Sequence, residues 1–247
     1  MRLAGKVAIV TGGATGMGKA IALALGREGA AIVVNYSKSV EDAEATVREL
    51  TEIGCTAIPS RADVSVDKQV RAMVNCTISH FGRLDILVNN AGFTRSVPLA
   101  DLEALSEEIW DKTLAINLKG AFFCARAATP PMKRQGSGAV VNIASVAGIN
   151  GQGSSIAYCA SKAGLISLTK SLAIALAPEI RVNGIAPGFV MTRWNAGRQA
   201  WHPGIIAATP LHRLGEAEDI GRLAVALVAD ASFVTGQTII ADGGNSI

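Results

Sequence analysis

The sequence predicts an α/β fold: a doubly wound parallel sheet of about seven strands, covered by helices on both faces, three layers in a single domain. Three observations lead there. Short β-rich runs alternate with longer helical patterns along the chain, the order that right-handed crossovers between parallel strands require. The runs are apolar almost throughout rather than alternately polar, as in strands buried on both faces. No linker, repeat or low-complexity tract divides the 247 residues, so residues 1–247 are read as one unit.

The strand signals, in order, are Val7 to Val10, Ala31 to Val34, Thr56 to Pro59, Ile86 to Val88, Ala139 to Ile143, Arg181 to Ile185 and Thr238 to Ala241. A helical run follows the first strand from Lys19 to Glu28. The amphipathic stretches Val40 to Ile53 and Val66 to Phe81 carry charged faces with apolar positions at helical spacing. Pro130-Pro131 is expected to kink or end its helix early, because proline removes a backbone donor and clashes with the preceding turn. Ala163 to Ala177 is apolar on nearly every face apart from Lys170 and a few hydroxyls. Such a helix must be covered on both sides. The sheet can supply one cover and a second subunit the other, so a homo-oligomer, dimer or tetramer, is expected.

Composition narrows the function. Lys and Arg total 23 and Asp and Glu 20, a formal net charge of +3, with 49% hydrophobic residues, which excludes a disordered chain. No Lys/Arg stripe of the kind nucleic-acid binding needs is present, and no nucleic-acid partner is expected. Cys55, Cys76, Cys124 and Cys159 form no CxxC pair and are read as buried reduced thiols, with no metal site expected. No uninterrupted apolar run approaches the roughly 20 residues that span a bilayer, and the N-terminus runs straight into a strand without a leader pattern. No membrane partner is expected, and the cytoplasm is the expected location.

Between the first strand and the first helix lies Thr11-Gly12-Gly13-Ala14-Thr15-Gly16-Met17-Gly18. Glycines here permit a tight turn and let backbone N–H groups approach a phosphate at the positive end of a helix. A Rossmann-type unit places the pyrophosphate of a dinucleotide at this position. Sites that prefer NAD carry an acid at the end of the second strand, where this chain reads Val34-Asn35-Tyr36-Ser37-Lys38. With no carboxylate there, Ser37 and Lys38 could meet a 2′-phosphate, so NADP(H) is expected, with NAD(H) the alternative. Equally, Ser37 could cap the next helix while Lys38 is solvated.

Ser145 lies just past the fifth strand, at the carboxyl edge where open α/β sheets bind ligands. Tyr158 and Lys162 follow at i and i+4 of a helical pattern, a spacing that puts side chains about 5–6 Å apart on one face. An ammonium beside a phenol lowers its pKa from about 10 and makes it a usable proton donor or acceptor.

With these residues in place, the chain resembles the short-chain dehydrogenases/reductases of the small, single-domain type. The resemblance covers essentially the whole length, in order: Thr11-Gly12-x3-Gly16-x-Gly18, Asp63-Val64, Asn89-Asn90-Ala91-Gly92, Asn117, Ser145, Tyr158-x3-Lys162, Pro187-Gly188 and Asp242-Gly243-Gly244. It implies that Tyr158 is the general acid in carbonyl reduction and the base in alcohol oxidation. Ser145 would hold the substrate oxygen, Lys162 would hold the nicotinamide ribose, and Asn117 would support a proton relay through water. Cofactor contacts are implied from Gly12, Thr15, Gly16, Met17 and Gly18, from Asp63 and Val64 near the adenine, from Asn90, Ala91 and Gly92, and from Pro187, Gly188, Val190 and Thr192.

Residues 187–214 show no strong strand pattern and are read as a substrate lid. Trp194, Trp201 and His202 gather there with Arg193, Arg198 and His212. Two of the three tryptophans in one short stretch suggest an apolar wall over the substrate, or equally packing against a neighbouring subunit. The resemblance is strongest to 3-oxoacyl-(acyl-carrier-protein) reductases and their relatives. Pro130 and Ile174 stand where those reductases present the basic residues that dock the carrier. A carbonyl reductase or alcohol dehydrogenase of a small, rather apolar ketone or alcohol is therefore expected, with the acyl-carrier reductase as alternative. A non-catalytic cofactor-binding regulator is the weaker alternative, since such proteins typically lose the Tyr or Lys.

Overall fold

The computed structural model describes residues 1–195 and 201–247. Seven strands form one parallel sheet: β1 (Val7–Val10), β2 (Ala31–Tyr36), β3 (Ala57–Arg61), β4 (Ile86–Asn89), β5 (Gly138–Ile143), β6 (Ile180–Pro187) and a last strand, Thr238–Ala241. The last is β9, since β7 (Val190–Met191) and β8 (Gly215–Glu216) form a separate two-stranded parallel pair. The order across the sheet is β3-β2-β1-β4-β5-β6-β9. Val10 is in register with Val34 on one side and Val88 on the other. The winding reverses between β1 and β4, so a crevice opens there at the carboxyl edge.

The apolar strands feed two cores. On one face, α1 (Gly16–Arg27), α2 (Val40–Glu52) and α9 (Ala217–Ala229) bury Ile21, Leu25, Leu50 and Ile220 against Val10, Ile32 and Ile185. On the other, α3 (Asp67–Phe81), α5 (Ala121–Arg134) and α7 (Ile156–Leu176) bury Met73, Cys124, Met132 and Leu172 against Ile9, Val33 and Val182. Helix α7 is long and apolar enough to cross a membrane, but Leu165, Leu172 and Leu176 are buried and pack it into the protein core. Its outward face leaves Ile174 82% exposed.

Three expectations need correction. The helix carrying Pro130 and Pro131 continues one further turn, to Arg134. Prolines keep a helix-compatible φ, and burial of Ala127, Ala128, Pro131 and Met132 opposes the loss of two backbone bonds. Cys76 is exposed on α3, whereas Cys55, Cys124 and Cys159 are buried. The stretch read as a lid contains strand β7, too short to leave a periodic signal, which β8 pairs from beyond Leu214.

Candidate active site

The switch point is built around the Gly-rich turn. Thr11 Oγ1 accepts hydrogen bonds from the backbone N–H groups of Asn90 at 2.9 Å and Ala91 at 3.0 Å, clamping the ends of β1 and β4 together. The Asn90 amide donates back to the carbonyls of Thr11 and Gly12 at 2.9 and 3.1 Å. Asn35, buried at the end of β2, accepts from Gly12 N–H at 3.2 Å and donates to the Ala62 carbonyl at 3.0 Å. These bonds leave no space for larger residues: a Cβ on Gly18 would lie 2.2 Å from the Gly12 carbonyl oxygen, and Gly12 has φ +60°. The result is a glycine-rich cradle at the start of α1, whose first turn contains no acidic residue. A dinucleotide pyrophosphate fits it by shape and sign.

The second wall comes from β5 and α7. Ser155 caps α7, its Oγ accepting from Tyr158 N–H at 3.2 Å, which places Tyr158 in the first turn and Lys162 one turn on. Lys162 is 5% exposed; its Nζ donates to the Ile143 carbonyl at 2.7 Å and lies 5.7 Å from the centre of the Tyr158 ring. Burial lowers its pKa to about 8. Ser145, two residues past β5, has its Oγ 3.2 Å from Ala147 N–H as acceptor. The short α6 (Ala147–Asn150) lies against α7 so closely that a Cβ on Gly148 would sit 2.5 Å from the carbonyl carbon of Lys162.

A single cleft of about 1090 Å³ runs between these walls. Gly12, Thr15, Gly16, Met17 and Gly18 line it together with Asn90, Ala91, Gly92, Ser145, Tyr158, Lys162, Pro187, Gly188, Val190 and Thr192. Trp194 and Trp201 close it from the lid side, the Trp194 ring centre 6.4 Å from that of Tyr158.

Six of the expected residues are not among those that line it. His202 begins α8 (His202–Ala208) and packs edge-on against Phe189, ring centres 5.4 Å apart. Trp201 and Ile205 stand one helical turn apart and take the cleft face, so the next position points elsewhere. Asn117 lies in a π-helical segment, Ala115–Gly120, between α4 (Glu107–Leu114) and α5. Its Oδ1 accepts from Phe93 N–H at 2.7 Å, and its Nδ2 donates to the Phe93 carbonyl at 2.9 Å and to Ser161 Oγ at 3.0 Å. The side chain is thus a buried tie behind the cleft. Ser37 and Lys38 are exposed beside Ser39, which does line the mouth. Asp63 accepts from Ser65 N–H and Oγ at 2.9 and 2.6 Å, and Val64 is buried against Gly120. Arg198 lies outside the described residues.

Sequence reasoning missed Thr11, Asn35 and Gly148 as the residues that set this geometry. A polar residue at the end of an otherwise apolar strand was the available signal for Asn35. Arg193, which the sequence places only in the stretch read as a lid, lines the cleft and reaches Asp42 on α2.

Residues 12–246 match the family model described as enoyl-(acyl carrier protein) reductase. A 3-oxoacyl-(acyl-carrier-protein) reductase of Staphylococcus aureus strain Mu50 is 43% identical over 242 residues, 97% of each chain. A Streptomyces violaceoruber protein with the provisional name ketoacyl reductase 2 of the granaticin polyketide synthase is 42% identical over 241 residues, 96% of this chain and 95% of the other. A solved short-chain type dehydrogenase/reductase from Mycobacterium marinum superimposes with a TM-score of 0.92 at 34% identity, over 99% of this chain and 96% of that one. The chain is a short-chain dehydrogenase/reductase. This short-chain dehydrogenase/reductase is accordingly an oxidoreductase with ketoacyl reductases among its relatives, and the family implies a nicotinamide cofactor.

Proposed function

We propose that the protein is an NADP(H)-dependent ketoreductase that interconverts a carbonyl and a secondary alcohol on a small, rather apolar substrate. The observation that supports this best is the convergence of Ser145, Tyr158 and Lys162 on one cleft with the glycine cradle. The nicotinamide, when bound, supplies or accepts the hydride. In reduction the Tyr158 hydroxyl gives its proton to the carbonyl oxygen as negative charge develops there, and Ser145 Oγ donates a hydrogen bond to the same oxygen. In oxidation the phenolate takes the alcohol proton. Lys162, cationic below about pH 8, favours that phenolate and would hold the ribose hydroxyls of a bound cofactor. Asn117 acts through Phe93 and Ser161 as a positioning residue.

Gly12, Thr15, Gly16, Met17 and Gly18 would hold the pyrophosphate, and Asn90, Ala91, Gly92, Pro187, Gly188, Val190 and Thr192 the nicotinamide half. Ser37, Lys38, Asp63 and Val64 would meet the adenosine end. Residues 187–214 form the lid, with Trp194 and Trp201 as an apolar wall over the substrate. The cytoplasm fits this activity.

The relatives' names favour a second reading, reduction of 3-oxoacyl groups on a carrier protein. Against it, Pro130 and Ile174 are exposed and uncharged where docking charge is expected. Oxidation of NADPH and NADH is followed with free diketones, cyclic ketones, keto-sugars and 3-oxoacyl thioesters. Turnover of a free ketone with NADPH supports the first reading; preference for thioesters replaces it with the second. The exposed apolar face of α7 is covered by a second copy of the chain in this reading, and sedimentation as a dimer or tetramer is expected.

A further inference from the structure

We infer that Arg193 is a phosphate-binding residue of the cofactor cleft, with Asp42 as the acceptor that competes for its guanidinium. This rests on the dinucleotide reading of the cleft.

The lid touches the phosphate turn directly. Thr192 Cβ and Cγ2 lie 3.5 Å from the position a Cβ on Gly16 would take, so the lid's next residue starts above the cradle. From there the Arg193 guanidinium reaches α2 and donates to Asp42 Oδ2 at 2.6 Å. Asp42 stands in the first turn of α2, just past Ser39 at the cleft mouth. The ion pair thus joins the two sides of the cleft at the phosphate end, between residues 151 positions apart.

The charge balance of the cleft makes Arg193 the candidate. Among the described residues that line it, Lys162 and Arg193 are the cations, and none is a carboxylate. Lys162 is committed to the Ile143 carbonyl at the opposite end. Lys19, next to the cradle, is paired with Glu49 at 2.5 Å. The backbone N–H groups of the glycine turn carry only partial charge. Among the described residues, Arg193 therefore supplies the full positive charge that a dinucleotide's phosphates would meet from this side of the cleft.

Its present partner is easily exchanged. Arg193 is 58% and Asp42 39% exposed, and a solvent-exposed ion pair contributes little net stability. A phosphate accepts from the planar guanidinium in the same bidentate way as a carboxylate, and a dinucleotide brings at least two negative charges to the cleft where Asp42 offers one. Asp42 keeps the guanidinium near the mouth and competes with the phosphate for it.

That competition gives opposite signs for two substitutions. Dissociation constants of NADPH and NADH are measured by cofactor fluorescence on the full chain for wild type, Arg193→Gln, Asp42→Asn and the double variant. Loss of one charge-assisted contact predicts that Arg193→Gln weakens binding about tenfold. Asp42→Asn is expected to tighten it about threefold by freeing Arg193, and that gain shrinks once Arg193 is gone. Titration with 2′,5′-ADP and with 5′-ADP distinguishes the sources. A loss confined to NADPH and 2′,5′-ADP assigns Arg193 to the 2′-phosphate; equal losses for NADPH and NADH assign it to the pyrophosphate, and either supports the inference. Equal weakening by both single variants with no further loss in the double would make the pair a structural strap and overturn it, as would unchanged binding in all variants. Absence of dinucleotide binding by the wild type would instead overturn the cofactor reading on which it rests.

Discussion

Lys162 and Tyr158 share one face of α7, the ammonium 5.7 Å from the centre of the phenol ring, and the ammonium also spans back to the last carbonyl of β5 at 2.7 Å. One buried cation therefore joins the helix that carries Tyr158 to the strand that leads to Ser145. The cost of that burial appears in its pKa, lowered from 10.5 to about 8 by desolvation.

Stability should depend on pH in a definite direction. Between about pH 8 and 10.5 the unfolded chain keeps the Lys162 proton while the folded chain releases it. The unfolded state then binds more protons, so folding is favoured increasingly as pH rises through that window. Below it both states are protonated and the full penalty of the buried charge applies. Urea unfolding of wild type and Lys162→Met is the measurement. The wild type should gain on the order of 2 kcal/mol relative to the variant between about pH 7 and about pH 9.5. A constant difference would show that the folded protein does not depress this pKa.

Tyr158→Phe should remove turnover and leave the cofactor site standing. The Ser155 cap bonds the backbone N–H of residue 158, which phenylalanine retains, so α7 should start where it does now. Loss of a general acid costs typically 10² to 10⁴-fold, or ~3–5 kcal/mol of transition-state stabilisation. Steady-state rates should fall by about that factor while NADPH affinity stays within about twofold of wild type. Unchanged turnover would remove Tyr158 from the chemistry.

All seven sheet strands were legible in the sequence to within two residues at either end, because a parallel sheet buried on both faces writes its strands as continuous apolar runs. The cradle, Ser145, Tyr158 and Lys162 were legible because their spacing relative to those strands is local. Other features have no local signature. The tie from Asn117 to Phe93 and Ser161 depends on a π-helical turn, and nothing in Ala115–Gly120 announces one. The Arg193–Asp42 pair joins two surface residues far apart in sequence. The helix through Pro130 and Pro131 misled because proline's local cost was visible and the burial of its neighbours was not.

Gly18→Ala tests the cradle. The added methyl would lie 2.2 Å from the Gly12 carbonyl oxygen and 2.4 Å from Asn90 Nδ2, and backbone cannot yield as a flexible side-chain tip can. The turn must open, separating the N–H groups that would face the phosphates. Cofactor affinity should fall more than about tenfold, with a loss of roughly 1–3 kcal/mol in unfolding free energy from overpacking. Wild-type affinity in this variant would show that the turn does not hold the cofactor.

Lys38→Ala addresses the choice of cofactor at the other end of the site. Lys38 is exposed beside Ser39 at the cleft mouth, where a 2′-phosphate would extend beyond the ribose. A partly screened charge contact supports a several-fold effect, about threefold to tenfold, on the NADPH dissociation constant. NADH binding should hardly move, and the NADPH effect should shrink at high salt. Equal losses for the two cofactors would contradict a 2′-phosphate contact.

Asn117→Ala separates a tie from a relay. The amide holds both backbone groups of Phe93 and, through Ser161 Oγ, the residue preceding Lys162. Removing it leaves the Phe93 N–H without its acceptor in a partly buried site, a cost of about 1–3 kcal/mol. Ser161→Ala removes one of the same bonds, so the two substitutions should be less than additive in unfolding free energy. If Asn117 works only by positioning, the loss in turnover should accompany the loss in stability, and Ser161→Ala should reproduce part of both. A variant with wild-type stability and greatly reduced turnover would instead assign Asn117 to proton transfer, because an amide that bears no structural load can affect the rate only through the reacting groups.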